Sequence, residues 1–179
     1  YQNIADLKGK KLALVDPNST SGNNMPRFVL WERYKILAER YFSNVVFAGS
    51  HENAVIALSQ GTADVCANWW NNADDSNLTR MLDKHMLKAD SGRELTKADF
   101  RIIETSPLII NSPYAYLDAL PEDMKAAMRA AFLQAAKNDK AAFARLSDGK
   151  SLPWQPTDNA AYADTIKLVT FVDSLRKKV

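Results

Sequence analysis

The first unbroken apolar run along the chain is Lys11-Leu-Ala-Leu-Val15, set off by Gly9 before it and Asp16-Pro17 after it. A short apolar run between turn formers predicts a strand buried on both faces. The polar stretch Asp16-Pro-Asn-Ser-Thr-Ser-Gly22 comes next, and apolar residues then return at helical spacing in Phe28, Trp31, Tyr34, Ile36 and Leu37. Val45-Val-Phe-Ala48 predicts a second strand. Gly49-Ser50 leads into a short helix carrying Ala54, Ile56, Ala57 and Leu58 and stopped at Gly61. Ala63-Asp-Val-Cys-Ala67 is a third strand, and the order strand–helix–strand–helix–strand is that of a parallel α/β sheet.

The pattern then loosens. Asn68 to Asp75 reads as a loop, Asn77 to Leu87 as a helix and Arg101-Ile-Ile-Glu104 as a fourth short strand. Ser106-Pro107 through Ser112-Pro113 holds two prolines around an apolar centre, which predicts extended chain outside any central strand. Pro121-Glu-Asp-Met opens a long Ala-rich helix running to about Arg145, with proline at its first position and acids in its first turn. Asp158 is placed to cap a last amphipathic helix bearing Tyr162, Ile166, Val169, Val172 and Leu175.

Composition narrows the function classes. The 179 residues carry 23 Lys and Arg against 21 Asp and Glu, a net charge of +2, which argues against a nucleic-acid or acidic-membrane binder. One cysteine, Cys66, excludes a disulfide framework and a thiolate metal site, and two histidines, His51 and His85, make a histidine metal cage unexpected. No metal or cofactor is therefore expected. Apolar runs such as Leu108-Ile-Ile110 are too short to cross a bilayer.

The most informative segment for chemistry is Asp16 to Gly22. Between a strand and a helix it offers three hydroxyls, of Ser19, Thr20 and Ser21, together with the unsatisfied N–H groups of a helix start. Such a place favours an anion held by neutral dipoles. The plainer alternative is that these residues are N-caps. The segment lacks the lysine and glycine spacing of a nucleotide P-loop. Gly49-Ser-His51 repeats the arrangement at the next strand-to-helix junction. Parallel strands deliver their C-terminal ends to one edge, so His51 and Ser19–Ser21 should face one crevice. There His51 either donates to an oxyanion or only caps its helix. Trp69-Trp70 comes after the third strand; two adjacent rings cannot both be buried in one strand face, which leaves one available to a ligand or partner, while core packing is the plainer reading for either ring alone. Asp74-Asp75 reads as a solvated loop, Cys66 as an inert core residue and His85 as a surface residue. Ser21, His51 and Asp16 make only a formal hydrolase set, since the Gly-x-Ser-x-Gly elbow is missing.

Asp16-Pro-Asn-Ser-Thr-Ser-Gly22, then Ala48-Gly-Ser-His-Glu-Asn53, then Ser106-Pro-Leu-Ile, in this order and spacing, resemble the phosphate, phosphite and phosphonate substrate-binding proteins of ABC transporters. The resemblance implies a type II periplasmic-binding-protein architecture, two α/β lobes around a cleft. Residues 1–105 would form the second lobe, and 106–179 would be the crossover and C-terminal helices returning to a first lobe that lacks its opening strands. The absence of a methionine or leader before Tyr1 fits this expectation, which implies a truncated or clipped product, or a partner or second copy covering the gap. The resemblance further implies a periplasmic or lipid-anchored, extracytoplasmic receptor that works without catalysis alongside an ABC permease. Ser19, Thr20, Ser21 and His51 would cradle the oxyanion, while Trp69, Asn71 and Ser112 would face the substituent on phosphorus. Asn71 and Ser112 stand where relatives that hold 2-aminoethylphosphonate carry acids. Both are neutral here, which implies a ligand without an amine: phosphite, methylphosphonate or a similar small anion. The alternatives are a small esterase or phosphatase using Ser21 and His51, and the effector-binding domain of a regulator.

Overall fold

In the computed structural model of the chain, the described residues are 1–89, 91–111, 113–146 and 152–176. They form two compact units, one of residues 1–109 with 164–179 and one of residues 110–163.

The first unit is built on a parallel three-stranded sheet. Its central strand β1 (Lys11–Leu14) pairs on one side with β2 (Asn44–Phe47) and on the other with β3 (Val65–Cys66). The register sets Leu12 opposite Val45 and Val65, and Ala13 opposite Val46 and Cys66. The run from Leu12 to Val15 is unbroken in apolar residues because both faces of this strand are covered. Leu12 and Leu14 pack with Ile4, Leu7, Leu30, Ala38 and Phe42, and Ala13 and Val15 pack with Ala54 and Ala63. Leu14 is fully buried, and burying such a side chain contributes about 2 kcal/mol.

Helix α1 (Met25–Tyr34) and the single turn α2 (Ala38–Tyr41) connect β1 to β2, and α3 (His51–Ser59) crosses back to β3. Lys35 ends α1 in a left-handed conformation (φ 56°), which leaves Ile36 and Leu37 outside the helix that their spacing predicts. Helix α7 (Ala163–Arg176) joins this unit, with Leu168 and Val172 buried against Met25 and Val29 and the Phe171 ring beside Phe28 and Trp31. Asp158 caps a short turn, Asn159–Tyr162, that leads into α7.

The Asn68–Asp75 stretch is more ordered than a loop. Strands β4 (Trp70–Asn72) and β5 (Asp75–Ser76) form a small hairpin, and Ser76 then caps α4 (Asn77–Asp83). This helix stops four residues before Leu87 because His85 turns left-handed (φ 55°). There the His85 and Met86 N–H groups bond back to the Leu82 and Met81 carbonyls. The expected strand at Arg101–Glu104 joins no ladder among the described residues. Side chains hold it instead: Arg101 donates to Gln2, and Glu104 accepts from Arg33 and Tyr34 at the end of α1.

In the second unit the Ala-rich stretch forms two helices, α5 (Glu122–Asn138) and α6 (Lys140–Leu146). Asp139 breaks them apart: its backbone leaves the helical region and its carboxylate accepts from the Ala142 N–H at 2.8 Å. Pro121 precedes the first turn as the cap residue. The rings of Tyr114, Phe132, Phe143 and Trp154 pack together at centroid distances of 4.8 to 5.1 Å.

Candidate functional site

The three parallel strands end at one edge of the sheet, and each chain segment leaving that edge carries a candidate residue. After β1, the chain winds into a wide π-type turn, Thr20–Asn24, before α1 begins. Wide turns of this kind recur at functional sites. Ser19 starts this one, accepting the Gly22 N–H on its Oγ at 3.0 Å and the Asn23 and Asn24 N–H groups on its carbonyl. Ser19 is therefore a cap, as the plainer alternative has it, and its three acceptor contacts fix the path of the turn.

The loop is braced from inside. Buried Asn23 donates to the Pro17 carbonyl at 2.8 Å and accepts from Arg27 at 2.7 Å. Asp16 accepts the Asn18 N–H on its side chain and the Ser19 N–H on its carbonyl. Gly22 lies against Val15, where any Cβ would stand 2.3 Å from the valine Cγ2, so only glycine lets the turn sit on the strand end. The N–H groups of Thr20 and Ser21, in the first turn, have no acceptor within the helix and point their partial positive charge out of its start. Thr20 is exposed and Ser21 is half-buried.

After β2, Ser50 caps α3 by accepting the Asn53 N–H at 3.0 Å, so His51 is not the cap but the first helical residue. Its imidazole is half-buried between two partners. Nε2 lies 3.4 Å from Ser21 Oγ, and Nδ1 lies 2.8 Å from Asn68 Oδ1. The shared edge expected for Ser19–Ser21 and His51 thus exists, and a contact between side chains bridges the two helix starts. Asp16 is not the partner of the ring; that place belongs to Asn68, a neutral amide.

After β3, Asn68 is the residue at this edge that reasoning from the sequence misses. Besides facing His51, it donates through Nδ2 to the His51 carbonyl at 2.9 Å and accepts the Trp69 N–H at 2.9 Å. It ties the end of the third strand to the start of α3. A signal exists in principle, since a polar residue just past the C-terminal end of a parallel strand falls at the edge where such sheets bind ligands. Trp69 is half-buried, and its ring lies under the Arg80 guanidinium at 4.6 Å. Arg80 also grips Asp75 Oδ1 through two nitrogens, at 2.9 and 3.1 Å, while exposed Asn71 donates to Asp75 Oδ2 at 2.8 Å. Both oxygens of Asp75 are thereby engaged. Ser112 lies outside the described residues.

Among the described residues no group of His, Cys, Asp and Glu could hold a metal ion, and no helix is long and apolar enough to cross a membrane. The arrangement offers neutral donors at two converging helix starts, with one imidazole between them. Neutral donors of this kind at helix starts are suited to a small anion held by dipoles.

Comparison with known proteins agrees in kind. The profile of a family described as ABC transporter, phosphonate, periplasmic substrate-binding protein matches residues 1–162. The chain is 31% identical over 136 residues to the phosphate-import protein PhnD of Mycolicibacterium smegmatis, a match that covers 73% of this chain and 39% of that protein. The chain spans about two fifths of the length of this relative.

Proposed function

The chain belongs to the phosphonate-type periplasmic substrate-binding family of ABC transporters, and on that premise we propose that it binds a small phosphorus oxyanion at the Ser19–Ser21 and His51 helix starts. The observation that carries the proposal is the contact between Ser21 Oγ and His51 Nε2, which brings the starts of two helices to one point. Bare oxygens of the anion take the N–H groups of the two first turns and the Thr20 hydroxyl, and the Ser21–His51 pair completes the shell. The ligand is released unchanged. It is handed to a membrane permease, and the receptor works outside the cytoplasm, held there by a lipid anchor or free in the periplasm.

Phosphite, methylphosphonate and phosphate are the candidates. A 2-aminoethyl group is disfavoured, because Asn71 is neutral and the acid in contact with it, Asp75, is already paired with the Arg80 guanidinium. Residues 1–105 serve as one lobe of the receptor, and residues 106–179 carry the crossover and C-terminal helices, of which α7 packs on that lobe. Strand β2 stands at the sheet edge with Val46 and Phe47 exposed, the kind of edge that a further chain segment, a second copy or a partner covers.

A serine near an imidazole is also what a hydrolase would use, yet the third partner here is an amide rather than a carboxylate. Calorimetric titration with phosphite, methylphosphonate, 2-aminoethylphosphonate and phosphate tests the reading, with the Ser19→Ala/Thr20→Ala variant as control. Saturable heat for a small anion, lost in the control, is expected. Turnover of phosphate or acyl esters that vanishes in His51→Ala would replace binding by catalysis.

A further inference from the structure

We infer that Asn68 fixes the tautomer of His51 and thereby turns the Ser21–His51 pair into a hydrogen-bond acceptor toward the ligand, so that the site selects oxyanions carrying a P–OH proton over fully deprotonated ones of the same shape. The inference rests on the reading of the two helix starts as one oxyanion site.

Hydrogen-bond accounting leads there. The orientation of the Asn68 amide is set by two backbone groups that have no freedom of their own. The Trp69 N–H needs an acceptor and finds Oδ1; the His51 carbonyl needs a donor and finds Nδ2. Reversing the amide would set donor against donor and acceptor against acceptor. Oδ1 is therefore the atom that faces His51 Nδ1 at 2.8 Å, and Nδ1 must carry the proton. In a neutral imidazole the other nitrogen, Nε2, is then a bare lone pair.

The Ser21 hydroxyl, at 3.4 Å, is the donor that this lone pair receives. A hydroxyl has one proton, and once that is given to Nε2 only lone pairs remain on Oγ. Whether a ligand meets Ser21 or displaces it from Nε2, the group it brings to this pair must be a donor. The N–H groups of the two helix starts ask for the opposite, bare oxygens. A monoprotonated phosphate, phosphite or phosphonate answers both demands. Sulfate, with no proton to give, sets an anionic oxygen against a lone pair. His51 thus acts as a reader of the ligand proton rather than as the N–H donor that its position at a helix start suggests, and Asn68 is the positioning residue behind it.

Two readouts test this. The first is the ring-nitrogen NMR spectrum of the ligand-free chain carrying His85→Asn, which leaves His51 as the one histidine; asparagine tolerates the left-handed backbone at that position. Nδ1 is expected to be protonated and Nε2 bare, and Asn68→Ala is expected to shift the population toward the Nε2–H form. The second is the affinity for sulfate against that for phosphate and phosphite, at a pH where the monoprotonated forms are present. Sulfate should bind about tenfold to a hundredfold more weakly than the tighter of the two, the cost of an unpaired polar group. Asn68→Asp, whose carboxylate favours a doubly protonated ring with Nε2–H as donor, should narrow that gap.

A merely structural Asn68 would weaken all anions by one factor and leave the ratio unchanged. That result, an Nε2–H ring in the parent chain, or sulfate binding as tightly as phosphate would each overturn the inference. Silence for every anion would overturn the oxyanion reading and the selectivity with it, while the ring spectrum still reports on Asn68 separately.

Discussion

Gly22 presses its backbone against Val15 so closely that an added methyl would meet the valine Cγ2 at 2.3 Å and its Cβ at 2.4 Å. The two residues also share a backbone bond, Val15 N–H to the Gly22 carbonyl at 2.9 Å, so the turn before α1 is clamped to the end of the central strand. Valine is stiff at χ1 and cannot swing aside. Gly22→Ala is expected to cost about 3 kcal/mol by overpacking and to weaken anion binding with it. Chemical denaturation of the variant measures the first and calorimetry the second. Adding Val15→Ala should restore only part of the loss, since the Cβ of residue 15 is itself in the way. Wild-type stability in Gly22→Ala would show that the turn does not sit as described.

On the proposed reading Asn71 stands where an aminated ligand would need a carboxylate, and its side chain donates to Asp75 at 2.8 Å. Asn71→Asp places two carboxylates side by side and frees an acceptor for a cation. It is expected to raise the affinity for 2-aminoethylphosphonate about tenfold while leaving phosphite nearly unchanged. No gain for the aminated ligand would remove the argument for a ligand without an amine.

Cys66 packs between two apolar clusters, and burial pushes its thiol up to about 12. The unfolded thiol ionises first as pH rises, so the stability owed to the neutral buried thiol is intact below about pH 8 and is lost between about pH 9 and 12. Alkylation at pH 8 should therefore track the unfolded fraction, slow in the native chain and fast in urea. Cys66→Ala should lose less stability than the parent across the alkaline window. Rapid labelling of the native chain would contradict the burial.

Asp64 holds the opening of β1: its carboxylate accepts the Lys11 N–H at 2.8 Å and the Tyr1 hydroxyl at 3.1 Å. The Lys11 N–H, then the Tyr1 hydroxyl and the charges of Lys10 and Lys11, hold its pKa below the usual carboxylate range against a smaller opposing effect of burial. Its contribution is present above about pH 4 and is lost as pH falls through the lowered value. Asp64→Asn should lower stability at neutral pH and flatten the acid limb of the pH–stability curve. An unchanged acid limb would remove Asp64 from the acid response.

The parallel sheet was legible because Leu12 to Val15 is a run of four apolar residues with no polar interruption, and because glycines and the Asp16–Gly22 stretch mark where the chain turns. The shared edge of Ser21 and His51 comes from strand direction alone. What escaped was decided by side chains reaching across the chain. Arg101 to Glu104 has a strand-like sequence, but Gln2, Arg33 and Tyr34 hold it outside the ladder. The break at Asp139 comes from a carboxylate capping the next helix within an otherwise helical composition. Asn68 looked like one more loop residue. Its role appears only when the ends of the second and third strands are placed side by side, which no periodicity encodes.

The central claim is that the two helix starts hold one anion between them. Backbone amide NMR during a phosphite titration tests it most directly. The account predicts that the N–H signals of Thr20, Ser21, His51 and Glu52 move downfield together along a single saturation curve, with the His51 ring responding at the same midpoint. Shifts confined to one of the two turns, separate midpoints for the two, or a response centred elsewhere on the chain would contradict it.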